Sequence, residues 1–328
     1  MIALARPAWL HEAGGGAEFG VWAIDTGFHR DDFDAAWLVV QQGRAVFIDT
    51  GTHFALPRLL GALEVLGIGR EAVDWVIPTH VHLDHAGGAG SLMAALPQAQ
   101  MLVHPRGERH MVDPSALWAG ATAVYGEDEM ARSYGVVTPV PAERVRVSHD
   151  GQVLDWAGRG LTLIDTPGHA RHHHCIWDPL TQGWFTGDTF GLSYREFDTA
   201  KGAWIVPTST PVQFEPEALQ ASIARLLAQA PRCMYLTHYG RVDDVARLGA
   251  LLQGLLAEMV ALGESQRGQA DAAVRHEALK QGQLGIFSRS LHEHGVAFDE
   301  ARIAELLAID LELNAQGMAV WLDRPARA

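Results

Sequence analysis

Short apolar runs rich in β-branched and aromatic residues alternate with amphipathic segments up to about residue 240. Leucines at helical spacing between Leu56 and Leu66 predict a helix that Gly67 ends. The turn signal Gln42-Gly43 lies between two of the apolar runs. Three early runs predict strands: Val21–Ile24, Ala36–Val40 and Ala45–Ile48. Strands and helices that alternate in this way predict an α/β layer structure.

The alternation continues beyond residue 70 and ends in a helical region. Further predicted helices lie near Ala89–Leu96 and Glu215–Ala230, and leucines recur at helical spacing over Val245–Met259 and Ile303–Leu311. The remaining predicted strands are Trp75–Pro78, Gln100–His104, Arg144–Ser148, Leu161–Ile164, Cys175–Trp177, Trp184–Phe185 and Cys233–Thr237. We therefore predict a catalytic domain over residues 1–241 and a helical C-terminal extension over residues 242–328.

The segment Thr79–Gly88 holds three histidines and one carboxylate within six residues. They follow the pattern His80-x-His82-x-Asp84-His85, directly after the predicted strand Trp75–Pro78. Imidazole nitrogens and carboxylate oxygens are the ligands that zinc and similar divalent metals prefer. So dense a spacing at a strand end predicts a metal site rather than a loop of solvated histidines.

Four further short motifs follow the same order as in a known family. They are Ile48-Asp49-Thr50-Gly51, Thr166-Pro167-Gly168-His169, Phe185-Thr186-Gly187-Asp188 and Leu236-Thr237-His238-Tyr239-Gly240. Together with the histidine-rich segment they resemble the metallo-β-lactamase superfamily, over roughly residues 20–240. The resemblance implies an α/β fold of the αββα type, a sandwich of two mixed β-sheets with outer helices.

The resemblance also implies a centre of two divalent metal ions. Zinc is the expected metal, with iron and manganese as alternatives for a histidine and carboxylate set. Asp49 is expected to support the metal-bearing loop by hydrogen bonds without touching a metal. Seven ligands are implied: His80, His82 and His169 on the first ion, Asp84, His85 and His238 on the second, and Asp188 bridging the two.

A dinuclear centre of this kind lowers the pKa of a bridging water toward neutrality and supplies a hydroxide nucleophile. Asp84 doubles as a candidate proton shuttle to the leaving group. Tyr194 and Tyr239 are candidates for stabilising a developing oxyanion, with simple packing as the alternative for each. The expected function is hydrolysis of a small ester, lactone or thioester.

Several alternatives stay open within and beyond this function. The helical extension favours a thioesterase similar to glyoxalase II, a family that holds glutathione with basic residues near its C-terminus, whereas a lactonase fits the ligand set equally well. The basic residues available here are Arg275, Lys280, Arg289 and Arg302. Other classes are a mononuclear iron enzyme such as a sulfur dioxygenase, a phosphodiesterase or phosphotriesterase, and a binding protein with a vestigial site.

Other polar residues have less definite roles. His172, His173 and His174 follow the third histidine motif, and we interpret them as supporting or packing residues. The loop Asp25–Asp34 and His53 are candidates for the border of a substrate cleft.

The net charge and the cysteine content limit the possible binding partners and the cellular compartment. The formal net charge of the 328 residues is −14, which argues against binding of nucleic acid. The two cysteines, Cys175 and Cys233, are too few for a disulfide framework and fit a reducing compartment. No signal sequence and no apolar stretch of membrane-spanning length is evident, so we expect a cytoplasmic enzyme for a small-molecule substrate, with no membrane partner. We also expect the C-terminal helices to pack on the catalytic core, with a partial share in a homodimer contact.

Overall fold

The apolar runs build a seven-stranded mixed sheet in which the strands follow chain order. The first four strands pair antiparallel, and the fourth to the seventh pair parallel. Carboxyl ends of neighbouring parallel strands meet at one edge, where α/β proteins place their ligands. The strands are β1 (Leu10–Gly15), β2 (Phe19–Asp25), β3 (Ala35–Gln41), β4 (Arg44–Ile48), β5 (Val73–Ile77), β6 (Gln100–Val103) and β7 (Val145–Val147).

A second mixed sheet has six strands in the order β13-β12-β11-β10-β9-β8. Only the β11–β12 pair is parallel among these strands; the other neighbours are antiparallel. The strands are β8 (Gln152–Trp156), β9 (Arg159–Asp165), β10 (His174–Asp178), β11 (Gly183–Gly187), β12 (Cys233–Leu236) and β13 (Gly240–Val242). The short link between β12 and β13 contains His238.

The helices lie between and after these strands. They are α1 (Leu56–Leu66), α2 (Leu83–Ala86), α3 (Ala89–Ala95), α4 (Glu108–Val112), α5 (Ser115–Tyr125), α6 (Glu127–Glu129), α7 (Pro216–Leu227), α8 (Val245–Gln266), α9 (Ala272–His294), α10 (Glu300–Leu306) and α11 (Ala308–Asp323). Gly67 ends α1 in the left-handed conformation, with a φ of 68°. Its N–H donates to carbonyls of the last turn, as its position in the sequence predicts.

Both faces of the first sheet are buried. Alternate residues of β3 point to opposite sides, so Trp37 and Val39 lie in the core shared with the second sheet, whereas Leu38 lies in the core under the helices. The core between the sheets includes Phe185 of β11. The outer core includes Leu59 of α1 and residues of α3.

The computed structural model describes residues 6–15, 19–209 and 211–324, and these form two compact units. The first unit comprises the described residues up to Asp165 together with His172–Gly187 and Arg232–Asp243, and it contains both sheets. The second comprises Thr166–Arg171, Asp188–Pro231 and the chain from Asp244 onward. The C-terminal helices therefore group with internal segments, unlike the division predicted at residues 241 and 242.

The predicted α/β architecture of two mixed sheets with helices, followed by C-terminal helices, is confirmed. Three strands were not predicted, namely β1, β8 and β13. Only one residue of β1 is fully buried, β8 mixes buried and exposed residues over five positions, and β13 has three residues. Strands this short or this exposed carry too weak an alternation to be recognised.

The expectation that no segment has the length and hydropathy to span a membrane is wrong. Helix α8 has 22 residues and a mean hydropathy of 1.6 over its most apolar window, of which 39% is buried in the structure. Buried core helices meet the same two criteria. Within the second unit, α8 packs against α7, α9 and α11, which accounts for its buried stripe. The absence of a membrane partner stays a prediction.

Candidate metal centre

Asp49, at the end of β4, organises the histidine-rich segment in the first unit. Its buried carboxylate accepts hydrogen bonds from the N–H of Thr79 at 2.6 Å and from the Thr79 hydroxyl at 2.9 Å. It also accepts from His85 Nδ1 at 2.9 Å and from the Thr237 hydroxyl at 2.8 Å. One carboxylate thus ties the ends of β5 and β12 together, which is the supporting role that the family resemblance implies.

The tautomers of two histidines follow from their partners. His85 Nδ1 faces the Asp49 carboxylate, and His238 Nδ1 lies 2.9 Å from the backbone carbonyl of Phe33. Neither a carboxylate nor a carbonyl can donate, so both rings carry their proton on Nδ1. Each Nε2 therefore keeps its lone pair for another partner.

These lone pairs converge on Asp84. Its Oδ2 lies 3.4 Å from His238 Nε2 and 3.8 Å from His85 Nε2. Two atoms bound to one tetrahedral metal at ~2.1 Å are separated by ~3.4 Å. The separations and the chemistry of the three groups therefore fit one metal ion.

The other two ligand candidates of the first unit are His80 and His82. His80 Nε2 lies 2.8 Å from His82 Nδ1, and His80 Nδ1 lies 3.2 Å from the Thr79 hydroxyl oxygen. The Thr79 hydroxyl donates to Asp49, so its oxygen accepts from His80. This leaves His80 Nε2 to accept the proton of His82 Nδ1, at a separation shorter than the ~3.4 Å between two ligands of one ion.

The second unit contains the remaining two predicted ligands. His169 Nε2 lies 3.3 Å from Asp188 Oδ2, and both side chains are nearly buried. That separation also suits two ligands of one ion. The loop before His169 is fixed by the N–H of Glu215, which donates to the Gly168 carbonyl at 2.8 Å. The Ser222 hydroxyl of α7 donates to the Pro167 carbonyl at 2.7 Å.

Asp34 is a buried carboxyl that sequence reasoning missed. Its Oδ2 accepts from the Thr26 hydroxyl at 2.5 Å, and its Oδ1 has no hydrogen-bond partner. Burial raises the pKa of Asp34 to about 7, against the opposing influence of His238 and His85. Its neighbour Phe33 supplies the carbonyl that orients His238. The only sequence feature that could have indicated Asp34 is its position directly before an apolar predicted strand.

The two tyrosines proposed as oxyanion stabilisers have different surroundings. Tyr194, in the second unit, is 1% exposed, and its hydroxyl donates to Asp310 Oδ1 at 3.0 Å. Tyr239, in the first unit, is 6% exposed and directly follows His238. A catalytic role for either residue stays a prediction.

The three histidines after the third motif have packing partners in the first unit. His174 Nε2 donates to the Pro78 carbonyl at 2.9 Å, so its Nδ1 accepts the Ser148 hydroxyl, also at 2.9 Å. Burial, followed by the nearby His104, lowers the pKa of His174 to about 3. Among the described residues, the groups arranged to hold a metal include none of His172–His174.

The basic residues considered for glutathione are each paired with an acid in the second unit. Arg275 pairs with Asp323 and Lys280 with Glu312, both at 2.7 Å. Arg289 pairs with Glu258, and Arg302 pairs with Glu305. These pairings give the four residues structural partners on their own helices or on neighbouring ones.

Comparison with known proteins places these observations in a family. A family model described as the metallo-beta-lactamase superfamily matches residues 29–238, more than half of the chain. An archaeal metallo-beta-lactamase superfamily protein from Sulfolobus tokodaii has a TM-score of 0.59 at 20% identity, covering 94% of this chain and 97% of that chain. At that identity the structural likeness supports the fold.

One curated relative is named as a thioesterase and another as a hydroxyacylglutathione hydrolase. Human acyl-coenzyme A thioesterase MBLAC2 is 28% identical over 190 residues, which cover 52% of this chain and 63% of the relative. The hydroxyacylglutathione hydrolase of Aeromonas hydrophila subsp. hydrophila is 24% identical over 137 residues, which cover 42% of this chain and 39% of the relative. In both alignments the chain spans less than two thirds of the relative's length.

Proposed function

The chain belongs to the metallo-β-lactamase superfamily and is a metal-dependent hydrolase, and we propose that its substrate is a small acyl thioester. The observation that carries the proposal is that the imidazole lone pairs of His85 and His238 are directed toward Asp84. The similarity to an acyl-coenzyme A thioesterase and to a hydroxyacylglutathione hydrolase supports the choice of a thioester. We propose two divalent ions, zinc by preference, held by the seven residues that the family motifs indicate.

When bound, two such ions supply a nucleophilic hydroxide near neutral pH and polarise the acyl oxygen of the substrate. The residues of the chain prepare the site for them. Asp49 and the Phe33 carbonyl hold His85 and His238 in the tautomer that ligates through Nε2. The orientation of these rings is therefore complete before substrate arrives, and no reorganisation is needed during the reaction.

Asp84 is the residue we assign to proton movement. Its side chain keeps 24% of its surface exposed, unlike the fully buried His85 beside it. A carboxylate that is partly exposed to solvent can take the proton of the attacking water and deliver it to the leaving group. A thiol of pKa about 8.5 leaves readily as a thiolate, so this leaving group needs less acid assistance than an alkoxide.

Of the two tyrosines, Tyr239 is the one we assign to the acyl oxygen. It follows His238 in the chain, whereas the hydroxyl of Tyr194 donates to the buried Asp310. A hydroxyl committed to a buried carboxylate is costly to redirect toward a substrate.

A substrate panel on the metal-loaded protein tests the proposal. It contains acetyl- and decanoyl-coenzyme A, a hydroxyacyl glutathione thioester, a γ-lactone, a phosphodiester and a persulfide with oxygen uptake followed. We expect kcat/KM for thioesters to exceed the other classes by at least about tenfold. Preferential phosphodiester cleavage, lactone cleavage or oxygen consumption would contradict the proposal and identify the alternative activity.

A further inference from the structure

Two exposed arginines of the first unit, Arg106 and Arg109, lie at the start of α4. Among the residues that the structure describes, neither has an acidic partner, unlike the four basic residues of the C-terminal helices. The carboxylate of the nearby Asp113 accepts from the N–H and the hydroxyl of Ser115 instead. In a chain with a formal net charge of −14, these two positive charges therefore remain available for an anion from outside the protein.

The side chain of Arg109 is held by its neighbour His110. Arg109 Nε donates to His110 Nε2 at 3.3 Å, so His110 carries its proton on Nδ1 and is neutral. Burial lowers the pKa of His110, and the charge of Arg109 adds to that decrease. Because only Nε is used in this contact, the two terminal nitrogens of Arg109 can bind an oxyanion as a fork.

The backbone places the two arginines one turn apart. The N–H of Gly107 donates to the His104 carbonyl at 2.8 Å, and the N–H of His110 donates to the Gly107 carbonyl at 2.9 Å. The chain thus turns continuously from His104 to His110, and residues three positions apart in such turns are neighbours. The N–H of Arg106 donates to His104 Nδ1 at 3.1 Å, which fixes the first turn. Arg106 therefore adds a second positive charge close to Arg109.

A short row of imidazole rings of the first unit connects His110 with the metal-ligand candidates. The ring centre of His110 lies 6.4 Å from that of His172, which lies 5.3 Å from that of His82. His172 is fixed by the N–H of Val81, which donates to its Nδ1 at 3.4 Å. His172 is 5% exposed, whereas His82 and His110 are both partly exposed. Two partly exposed rings on either side of one nearly buried ring border the same stretch of surface.

We propose that Arg109, supported by Arg106 and His110, binds an anionic group on the thiol carrier of the substrate. The inference rests on the proposed thioester hydrolysis. The carboxylates of glutathione and the phosphates of coenzyme A are oxyanions of the kind that a guanidinium group binds through two parallel hydrogen bonds. A protein with a net charge of −14 repels such carriers, so a local positive group close to His82 favours their approach.

Steady-state kinetics of Arg109→Gln with charged and neutral carriers test the inference. One acyl group is offered as its coenzyme A thioester, its glutathione thioester and its uncharged N-acetylcysteamine thioester. We expect KM for at least one anionic thioester to rise about three- to tenfold, with kcat nearly unchanged and the neutral thioester unaffected. The carrier whose KM rises identifies whether phosphate or carboxylate is bound. Arg106→Gln should give a smaller rise with the same carrier.

Arg232 provides a matched control in the same unit. It is exposed and, within the described part of the chain, also has no acidic partner. Arg232→Gln removes the same charge elsewhere and should retain the KM values of the unaltered protein. Unchanged KM values for both anionic thioesters in Arg109→Gln, or an equal rise for the neutral thioester, would overturn the inference.

A second measurement separates this inference from the proposed function. Binding of coenzyme A, glutathione and the uncharged thiol pantetheine to the metal-loaded protein is followed by calorimetry, which needs no turnover. If no thioester is hydrolysed, the proposed function fails, and these affinities alone decide on the anion site. Weakening of coenzyme A or glutathione by about three- to tenfold in Arg109→Gln, with pantetheine unchanged, supports the site. Equal affinities of each thiol for Arg109→Gln and Arg232→Gln reject it.

Discussion

The metal-ligand candidates of the two compact units are held in different ways. In the first unit, His85 and His238 lie beyond the ends of strands, and each donates Nδ1–H to a buried acceptor. In the second unit, His169 follows Gly168, whose φ is 133°. A Cβ on Gly168 would lie 2.2 Å from the backbone nitrogen of Leu219 in α7. Hydrogen-bonded protons fix the first set, whereas close backbone packing against a helix fixes the loop of the second.

This difference predicts how each set fails. Loss of one acceptor in the first unit releases several donors at once, because Asp49 alone serves three residues. Replacement of Gly168 in the second unit by a larger residue displaces the His169 loop without removing any hydrogen-bond donor. The first set is therefore sensitive to charge and hydrogen bonding, and the second to volume.

The largest effect is expected from Asp49→Ala. It leaves the donors of Thr79, His85 and Thr237 without their acceptor in a buried place. We expect a loss of about 3 kcal/mol or more in the free energy of unfolding and a 10- to 100-fold weaker metal affinity. Urea unfolding and competition with a chelator measure the two quantities. Asp155→Ala, at an exposed strand position, is the control.

Retention of metal by the Asp49→Ala protein at the affinity of the unaltered chain would show that the carboxylate does not orient the ligands. His85 and Thr79 would then hold their positions by packing alone.

The next effect is expected from Gly168→Ala. The new Cβ meets the backbone of α7, so the His169 loop must move, at a cost of about 2–3 kcal/mol in unfolding free energy. Gly151→Ala is the control, since Gly151 has a φ of 76° but no heavy atom within 4 Å of the added Cβ. Thermal unfolding of both variants separates backbone strain from collision. Similar losses in the two would show that the contact with Leu219 is unimportant.

Four of the seven predicted ligands could be proposed from local spacing because they are close together in the chain, whereas the family resemblance was needed for His169, Asp188 and His238. His80, His82, Asp84 and His85 follow one strand, and Asp49 ends the strand beside it. Neither Asp34 nor the Phe33 carbonyl could be found in this way. Asp34 has no motif, and its importance comes from complete burial, while Phe33 orients His238 with a backbone atom that any residue possesses.

Acid sensitivity should also belong to the first unit. Burial lowers the pKa of His174 to about 3, so the ring is neutral in the folded protein, where Nε2–H donates to Pro78 and Nδ1 accepts from Ser148. The unfolded chain binds a proton near pH 6.5, so the stability that this group contributes is present above pH 6.5 and is lost as the pH falls toward 3. The expected slope is at most about 1.4 kcal/mol per pH unit.

Unfolding of chelator-treated protein by urea at pH 7 and pH 5 measures that slope. His174→Gln should reduce the pH dependence, whereas His149→Gln at an exposed position should leave it unchanged. A slope that persists in His174→Gln would assign the acid sensitivity to another group.

The one variant expected to stabilise the metal-free protein is Asp34→Asn. The pKa of Asp34 is raised to about 7, so the folded, metal-free protein loses stability from this group as the pH rises from about 4 to 7. Asparagine stays neutral, and a rise of the pKa from about 4 to about 7 converts to a gain of about 4 kcal/mol for metal-free Asp34→Asn over the unaltered protein at pH 8. Chemical unfolding at pH 8 and pH 5 measures the difference. A variant that is less stable at both values would show that the carboxylate is favourable where it lies.

The helical region was predicted as helices but not as part of a unit with internal segments. The stripe Val245–Met259 indicates a helix that must pack, yet periodicity does not name its partner. Hydrogen bonds within the second unit join residues that are far apart in the chain, such as Ser209 with Asn314 and Trp204 with Ser290. No local sequence pattern predicts such pairs. Long-range pairing of this kind is set by tertiary packing alone.

The metal content of the purified protein decides whether the site is a dinuclear hydrolytic centre. The purified protein, loaded in turn with zinc, iron and manganese and freed of excess metal, is measured by mass spectrometry of the elements. We predict about two tightly bound ions per chain, with zinc retained best, and loss of most of the metal in His82→Ala. One tightly bound iron per chain, or full occupancy in His82→Ala, would contradict the dinuclear hydrolytic centre.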